Sequence, residues 1–141
     1  MNFLIGEFKN NELDELAREV SLEENLDYQC KFLVCRKDNK IIGVAGVNFI
    51  KSPIPRFEHI IISPEYQKTK LGGILMKRTD RWLIDLGYKQ YNAFIFYGKD
   101  LMRHYANKWG MIETTKGNKG SWFVKDLIPK KEREYEYARV G

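Results

Sequence analysis

The feature that most constrains this chain is a strand, a short loop and a helix read in direct succession from Phe57 to Gly87. Phe57 to Ser63 holds three consecutive isoleucines, Ile60, Ile61 and Ile62, and such an unbroken apolar run predicts a strand buried on both faces. Pro64 has no N–H to give to a sheet ladder and ends the strand. A polar loop from Glu65 to Lys70 follows, and Leu71-Gly72-Gly73 opens a helix. That helix places Leu71, Leu75, Trp82 and Leu86 on one stripe and stops at Gly87. Tyr91 to Tyr97 reads as another strand. Strand, helix and strand in this order form a parallel crossover unit.

Hairpin signals lie on both sides of it. Phe3 to Ile5 is a short edge-strand signal, and Asn11 opens a helix with Asp14 in its first turn and Leu13, Leu16, Ala17 and Val20 as its apolar face. Ser21 and Glu24 have the spacing of a capping box for a second, shorter helix to about Asp27. Phe32 to Arg36 and Ile41 to Ile50 are strands joined by Asp38-Asn39, and Gly43 and Gly46 mark bulges or close backbone approach. Asp100 starts a helix with Leu101, Met102, Tyr105 and Trp109 on its apolar side, and Gly110 ends it. Two last strands, near Ile112 to Thr115 and Ser121 to Val124, flank a glycine-containing turn. The pattern predicts an α/β (α+β) fold: a mixed, mostly antiparallel central sheet with one parallel crossover and helices on both faces. At 141 residues the chain has the size of one domain, read as residues 1–128 with a charged extension at 129–141.

The net charge of +5 divides unevenly. Residues 1–29 hold two basic and eight acidic side chains, a balance of −6, so the remaining residues carry +11. A basic body favours an anionic partner such as a cofactor phosphate. Nucleic acid is the weaker reading, because the basic residues are spread over strands, loop and tail and do not line one helix. No apolar run approaches the length of a membrane-spanning helix, and the first residues do not resemble a signal peptide. Cys30 and Cys35, with His59 and His104, are too few and too scattered for a zinc site; we expect no metal, buried thiols and a cytoplasmic protein.

A strand running into a polar loop and a glycine-started helix suits an anion. Free N–H groups of the first turn and the positive end of the helix dipole face it, Lys68 and Lys70 add charge, and Gly72 and Gly73 let it approach the backbone. The competing reading is a loop whose glycines only permit a tight turn and close packing.

The run from Ile60 to Gly73 resembles the acyl-CoA site of the GNAT superfamily of N-acetyltransferases, whose signature is Arg/Gln-x-x-Gly-x-Gly/Ala after such a strand. Gln67 and Gly72 match, and the order of elements agrees over about residues 2–127. Lys70 stands where the family usually has its first glycine. Tyr105 lies five residues before Gly110 rather than the usual four, the strict match being Ala106. The asparagine often found near the start of that helix is missing.

The resemblance implies acetyl-CoA as cosubstrate and transfer of its acetyl group to a primary amine by direct attack. The acceptor would be a small molecule or a protein amine. Backbone groups of Ile60, Ile61 and Ile62 would pair with the pantetheine arm, and the loop, with Gln67, Lys68, Thr69, Lys70, Leu71, Gly72 and Gly73, would hold the pyrophosphate. Tyr105 is the candidate acid for the departing thiolate, or else a core aromatic. Glu58 is the candidate base acting through water, or else an ion-pair partner of Arg56. His59 is a weaker base, and Trp122 is a candidate wall of the acceptor site. Dimers are common in the family. A non-catalytic acyl-CoA-binding module on the same fold is the alternative. The acidic first helices could draw a cationic amine, or could form a solvated face.

Overall fold

The computed structural model describes residues 1–6, 8–20 and 26–127. The order is β1 (Asn2–Ile5), α1 (Asn10–Glu19), β2 (Lys31–Lys37), β3 (Lys40–Asn48), β4 (Arg56–Ile62), α2 (Leu71–Asp85), β5 (Gln90–Phe96), α3 (Asp100–Lys108), β6 (Ile112–Lys116) and β7 (Gly120–Asp126). This is the mixed α/β, mostly antiparallel architecture that the sequence pattern predicts. The capping box at Ser21 and the extension after Pro129 fall outside the described residues.

Backbone contacts divide the chain into two compact units, Met1–Thr79 and Asp80–Gly141. In the first, β1, β2, β3 and β4 lie side by side, each antiparallel to the next. Asp38 and Asn39 both have positive φ, 52° and 65°, which is the backbone a tight two-residue hairpin needs and which Asp and Asn tolerate. One face of this sheet receives α1: Leu13 and Leu16 are buried among Phe32, Val34, Ile41, Val44 and Ile61. The other receives the start of α2, and Gly43 is the reason it can come so close, since a Cβ there would sit 2.9 Å from Leu75 Cδ1. Gly46 is equally constrained on the α1 side, where a Cβ would meet the Phe32 ring at 2.7 Å. Both glycines therefore serve the close approach that the strand pattern suggests.

Helix α1 starts at Asn10, one residue earlier than predicted, and Glu12, not Asp14, accepts the Lys9 backbone N–H at 2.9 Å. Burial of the isoleucine run is also less complete than its composition predicts. Ile61 is 3% exposed, but Ile60 and Ile62 are only half-buried, so one face of the strand stays partly open.

In the second unit β5 pairs with β7 and β7 with β6, all antiparallel. Tyr91, Ala93, Ile95 and Phe123 point into its buried side. Asp80 makes an ion pair with Lys125 inside this unit. Helix α2 ends at Asp85, so Leu86 leaves the predicted stripe and is 55% exposed. The apolar side predicted for α3 is likewise open: Leu101 and Met102 are exposed, and Ala106 is the buried residue of that helix.

Candidate functional site

The predicted anion loop is built by its own side chains. After a single 3-10 turn at Pro64–Tyr66, the Gln67 side chain reaches back to donate to the Ile62 carbonyl at 3.1 Å, fixing the loop to the strand end. Thr69 Oγ1 donates to the Tyr66 carbonyl at 2.6 Å and accepts the Leu71 N–H at 3.2 Å. The Lys70 carbonyl accepts the Ile74 N–H at 3.1 Å and so begins α2. Among the described residues, the N–H groups of Lys68, Lys70, Gly72 and Gly73 make no hydrogen bond. Four unsatisfied donors within six residues, at the positive end of a 15-residue helix whose first turn holds no acid, suit an anion.

The two glycines do different work. A Cβ on Gly72 would lie 3.2 Å from Ile62 Cδ1, so glycine lets the helix pack on the strand; around Gly73 there is open space, leaving the first turn bare. Lys70 has no positive φ, so lysine occupies the family's glycine position without backbone strain. Its side chain is exposed, as are those of Gln67, Lys68 and Thr69.

Two tethers hold the loop from outside. Ser63 is buried; its N–H donates to the Ile42 carbonyl at 2.8 Å and its Oγ to Glu19 at 3.2 Å, tying the loop's start to β3 and α1. The Lys37 ammonium lies 5.6 Å from the centre of the Tyr66 ring. Nothing in the sequence singles out Lys37, because only the β2–β3 hairpin brings it there.

Glu58 sits at an irregularity that the sequence does not reveal. Across β3–β4, Gly46 faces His59 and Val47 faces Phe57, which leaves Glu58 as the extra residue of a β-bulge. Simple strand alternation therefore does not set its direction. Its Oε1 is shielded from solvent, 3.6 Å from Lys51 Nζ and 3.8 Å from Arg56 Nη1. The Arg56 pairing predicted as the alternative is thus present, joined by a second cation. Lys51 also reaches Asp27 at 3.1 Å, and the fully buried Asn48 donates to the same carboxylate at 3.0 Å. Burial pushes the Asp27 carboxyl up, but the Gln29 N–H, Lys51 and Asn48 outweigh it and leave it below its ordinary value. His59 is structural: its Nε2 accepts the Asp27 N–H at 3.0 Å and its ring stacks on Phe32.

Among the described acidic N-terminal residues, Glu12, Glu19 and Asp27 are paired with cations. Arg36 binds Glu12 through two nitrogens at 2.7 and 3.1 Å, and Lys40 pairs with Glu19 at 3.1 Å. Burial pushes the Cys30 thiol up to about 12, and Cys35 is raised for the same reason.

In the second unit, Tyr105 is half-buried and stacks on Trp109 with ring centres 5.3 Å apart. Ala106, the strict match to the family's tyrosine position, is 1% exposed. Trp122 packs edge-to-face on Phe94 at 5.1 Å.

No helix among the described residues is long and apolar enough to cross a membrane. No curated protein sequence matches the chain. Among solved structures, it is similar in fold to PaiA N-acetyltransferase of Thermoplasma acidophilum in complex with coenzyme A: TM-score 0.72, 15% identity, covering 89% of this chain and 99% of that one. A putative GNAT-family acetyltransferase of Desulfovibrio desulfuricans gives TM-score 0.76 at 11% identity over 89% and 98% of the two chains. A GNAT-family acetyltransferase of Elizabethkingia anophelis with acetyl-CoA bound gives 0.63 at 11% identity over 89% and 98%. A sequence model of the acetyltransferase (GNAT) family matches residues 1–111, and the chain belongs to that family.

Proposed function

We propose that the protein is an acetyl-CoA-dependent N-acetyltransferase acting on a primary amine. The observation that carries this reading is the loop before α2, with free N–H groups on Lys68, Lys70, Gly72 and Gly73, in a chain of the GNAT family. Lys68 and Lys70 bring charge to the pyrophosphate, Gly73 leaves room for it, and the half-buried Ile60 and Ile62 offer an apolar wall to the pantetheine arm. Acetyl-CoA supplies the activated acetyl group. The acceptor amine takes it by direct attack, so no side chain has to carry it. Glu58, through water, receives the proton that the acceptor ammonium gives up, and a bulge beside the cofactor strand is a common way to aim such a group. Tyr105 gives a proton to the departing thiolate, whose basicity a phenol matches.

The test has two stages. Acetyl-CoA at 100 times its Kd should add about 2.7 kcal/mol to stability, seen as a raised Tm; no shift at millimolar acetyl-CoA overturns the reading. Thiol release is then followed with a panel of amines, where Tyr105→Phe should lower kcat about 10²-fold. The second reading, a module that binds acyl-CoA without turnover, is favoured by the buried Ala106 at the usual tyrosine position. Binding with no turnover of any amine would select it.

A further inference from the structure

We propose that Lys51 is a positioning residue for the deprotonation step: its ammonium, shared between Asp27 and Glu58, aims the Glu58 carboxylate from the bulge of β4. The inference rests on the reading of Glu58 as the base.

Four segments converge to make this arrangement. Asn48, at the end of β3 and 0% exposed, accepts the N–H groups of Ile50 and Lys51 on one side-chain oxygen at 2.8 and 2.9 Å. Those two bonds set the turn that sends the Lys51 side chain back toward β4. The amide of Asn48 binds Asp27 Oδ2 at 3.0 Å, and Lys51 Nζ binds the same oxygen at 3.1 Å. Asp27 is itself anchored through its own N–H to His59, the residue after Glu58. Lys51 is thus held by Asp27 and presented to Glu58 at 3.6 Å.

The groups facing Glu58 are Lys51 from the loop after β3, Arg56 on its own strand, and, behind Lys51, Asp27 and the buried Cys30 from the segment before β2. Neither cation is within hydrogen-bonding distance of Oε1, and that oxygen has no other partner among the described residues. A carboxylate held by charge at 3.6–3.8 Å and not capped by a short bond keeps its lone pairs for a proton. With Oε1 shielded, the side chain's 21% exposure lies elsewhere on the group, where a water can reach it. A bulged residue has no alternation to fix it, so the network supplies its orientation. The Lys51 ammonium is also held in its charged form, first by its hydrogen bond to Asp27 and then by the Glu58 charge.

The test compares wild type, Lys51→Met, Lys51→Arg and Glu58→Gln. Lys51 is partly exposed, so the methionine stem fits where the lysine stem lies. The order of the Glu58 side-chain carboxyl is followed by 13C NMR relaxation, with Glu58→Gln assigning its signal; this arm needs no acceptor. Turnover is measured with acetyl-CoA and, as probe acceptors, spermidine and an Nα-blocked lysine. Lys51→Met should leave the Glu58 carboxyl less ordered and lower kcat about 10-fold with the KM for acetyl-CoA unchanged. Lys51→Arg should restore both. A Glu58 carboxyl as ordered in Lys51→Met as in wild type overturns the proposal while leaving the acetyltransferase reading intact. Full turnover in Glu58→Gln removes Glu58 as base, and the role of Lys51 with it.

Discussion

Helix α1 sets Leu13 and Leu16, three residues apart, against β2, β3 and β4, and both are all but excluded from solvent. Helix α3 shows a comparable apolar set in its sequence, yet Leu101 and Met102 stay 66% and 36% exposed and only Ala106 is buried. Helical spacing decides which residues share a face. Whether a neighbour covers that face depends on the partner surface. For α1 that surface is Phe32, Val34, Val44 and Ile61, large side chains on three strands that the hairpin at Asp38-Asn39 and strand pairing bring side by side. For α3 the residue at the contact is an alanine, so the larger side chains lie to either side of it.

The largest expected difference between the helices is in their leucines. Leu13→Ala should cost about 2–5 kcal/mol in chemical denaturation, because a fully buried leucine leaves a cavity on removal. Leu13 changes costing under 1 kcal/mol would mean that α1 is not the core helix described. Next comes the ionic cap of α1. The Arg36 hydrogen bonds, first, and the Lys9 N–H hold the Glu12 carboxyl at about 2, against 4.5 for an ordinary one. A depressed carboxyl contributes stability above its ordinary value and loses it as the pH falls toward the depressed one. Denaturation midpoints should therefore drop between about pH 4.5 and about pH 2, by no more than about 1 kcal/mol for a pair this open to water. In Arg36→Met this part of the pH dependence should shrink to what the Lys9 N–H sustains; its full persistence would assign the loss to other carboxylates. The smallest effect belongs to α3, where Leu101→Ser should stay within about 0.5 kcal/mol. A cost near that of Leu13→Ala would show that something in solution covers Leu101.

Much of the candidate site was legible because its signals are local. Pro64, the polar loop and Gly72-Gly73 announce a strand end and a bare helix start from neighbours in sequence, and backbone donors need no side chain from elsewhere. Lys70 could be located as a departure from the family pattern, but its backbone conformation could not. The surroundings of Glu58 were only half legible. Arg56 is two residues away on the same strand and was a foreseeable partner; Lys51 was not, since it reaches Glu58 by a turn that depends on the buried Asn48. The acidic excess of the first residues suggested a cation-attracting face, and structure pairs three of those charges internally, with Arg36, Lys40 and Lys51.

Composition, periodicity and turn residues determined by themselves the order of strands and helices, the tight turn at Asp38-Asn39 and the glycine-bared start of α2, because each depends on φ preferences and spacing within a few residues. Tertiary structure alone decided the bulge that frees Glu58, the cations around it, the half-open face of Ile60 and Ile62, and the exposure of α3. Those depend on register and on which side chains fold back from distant positions. A one-residue slip in pairing is enough to change them, and no local preference records it.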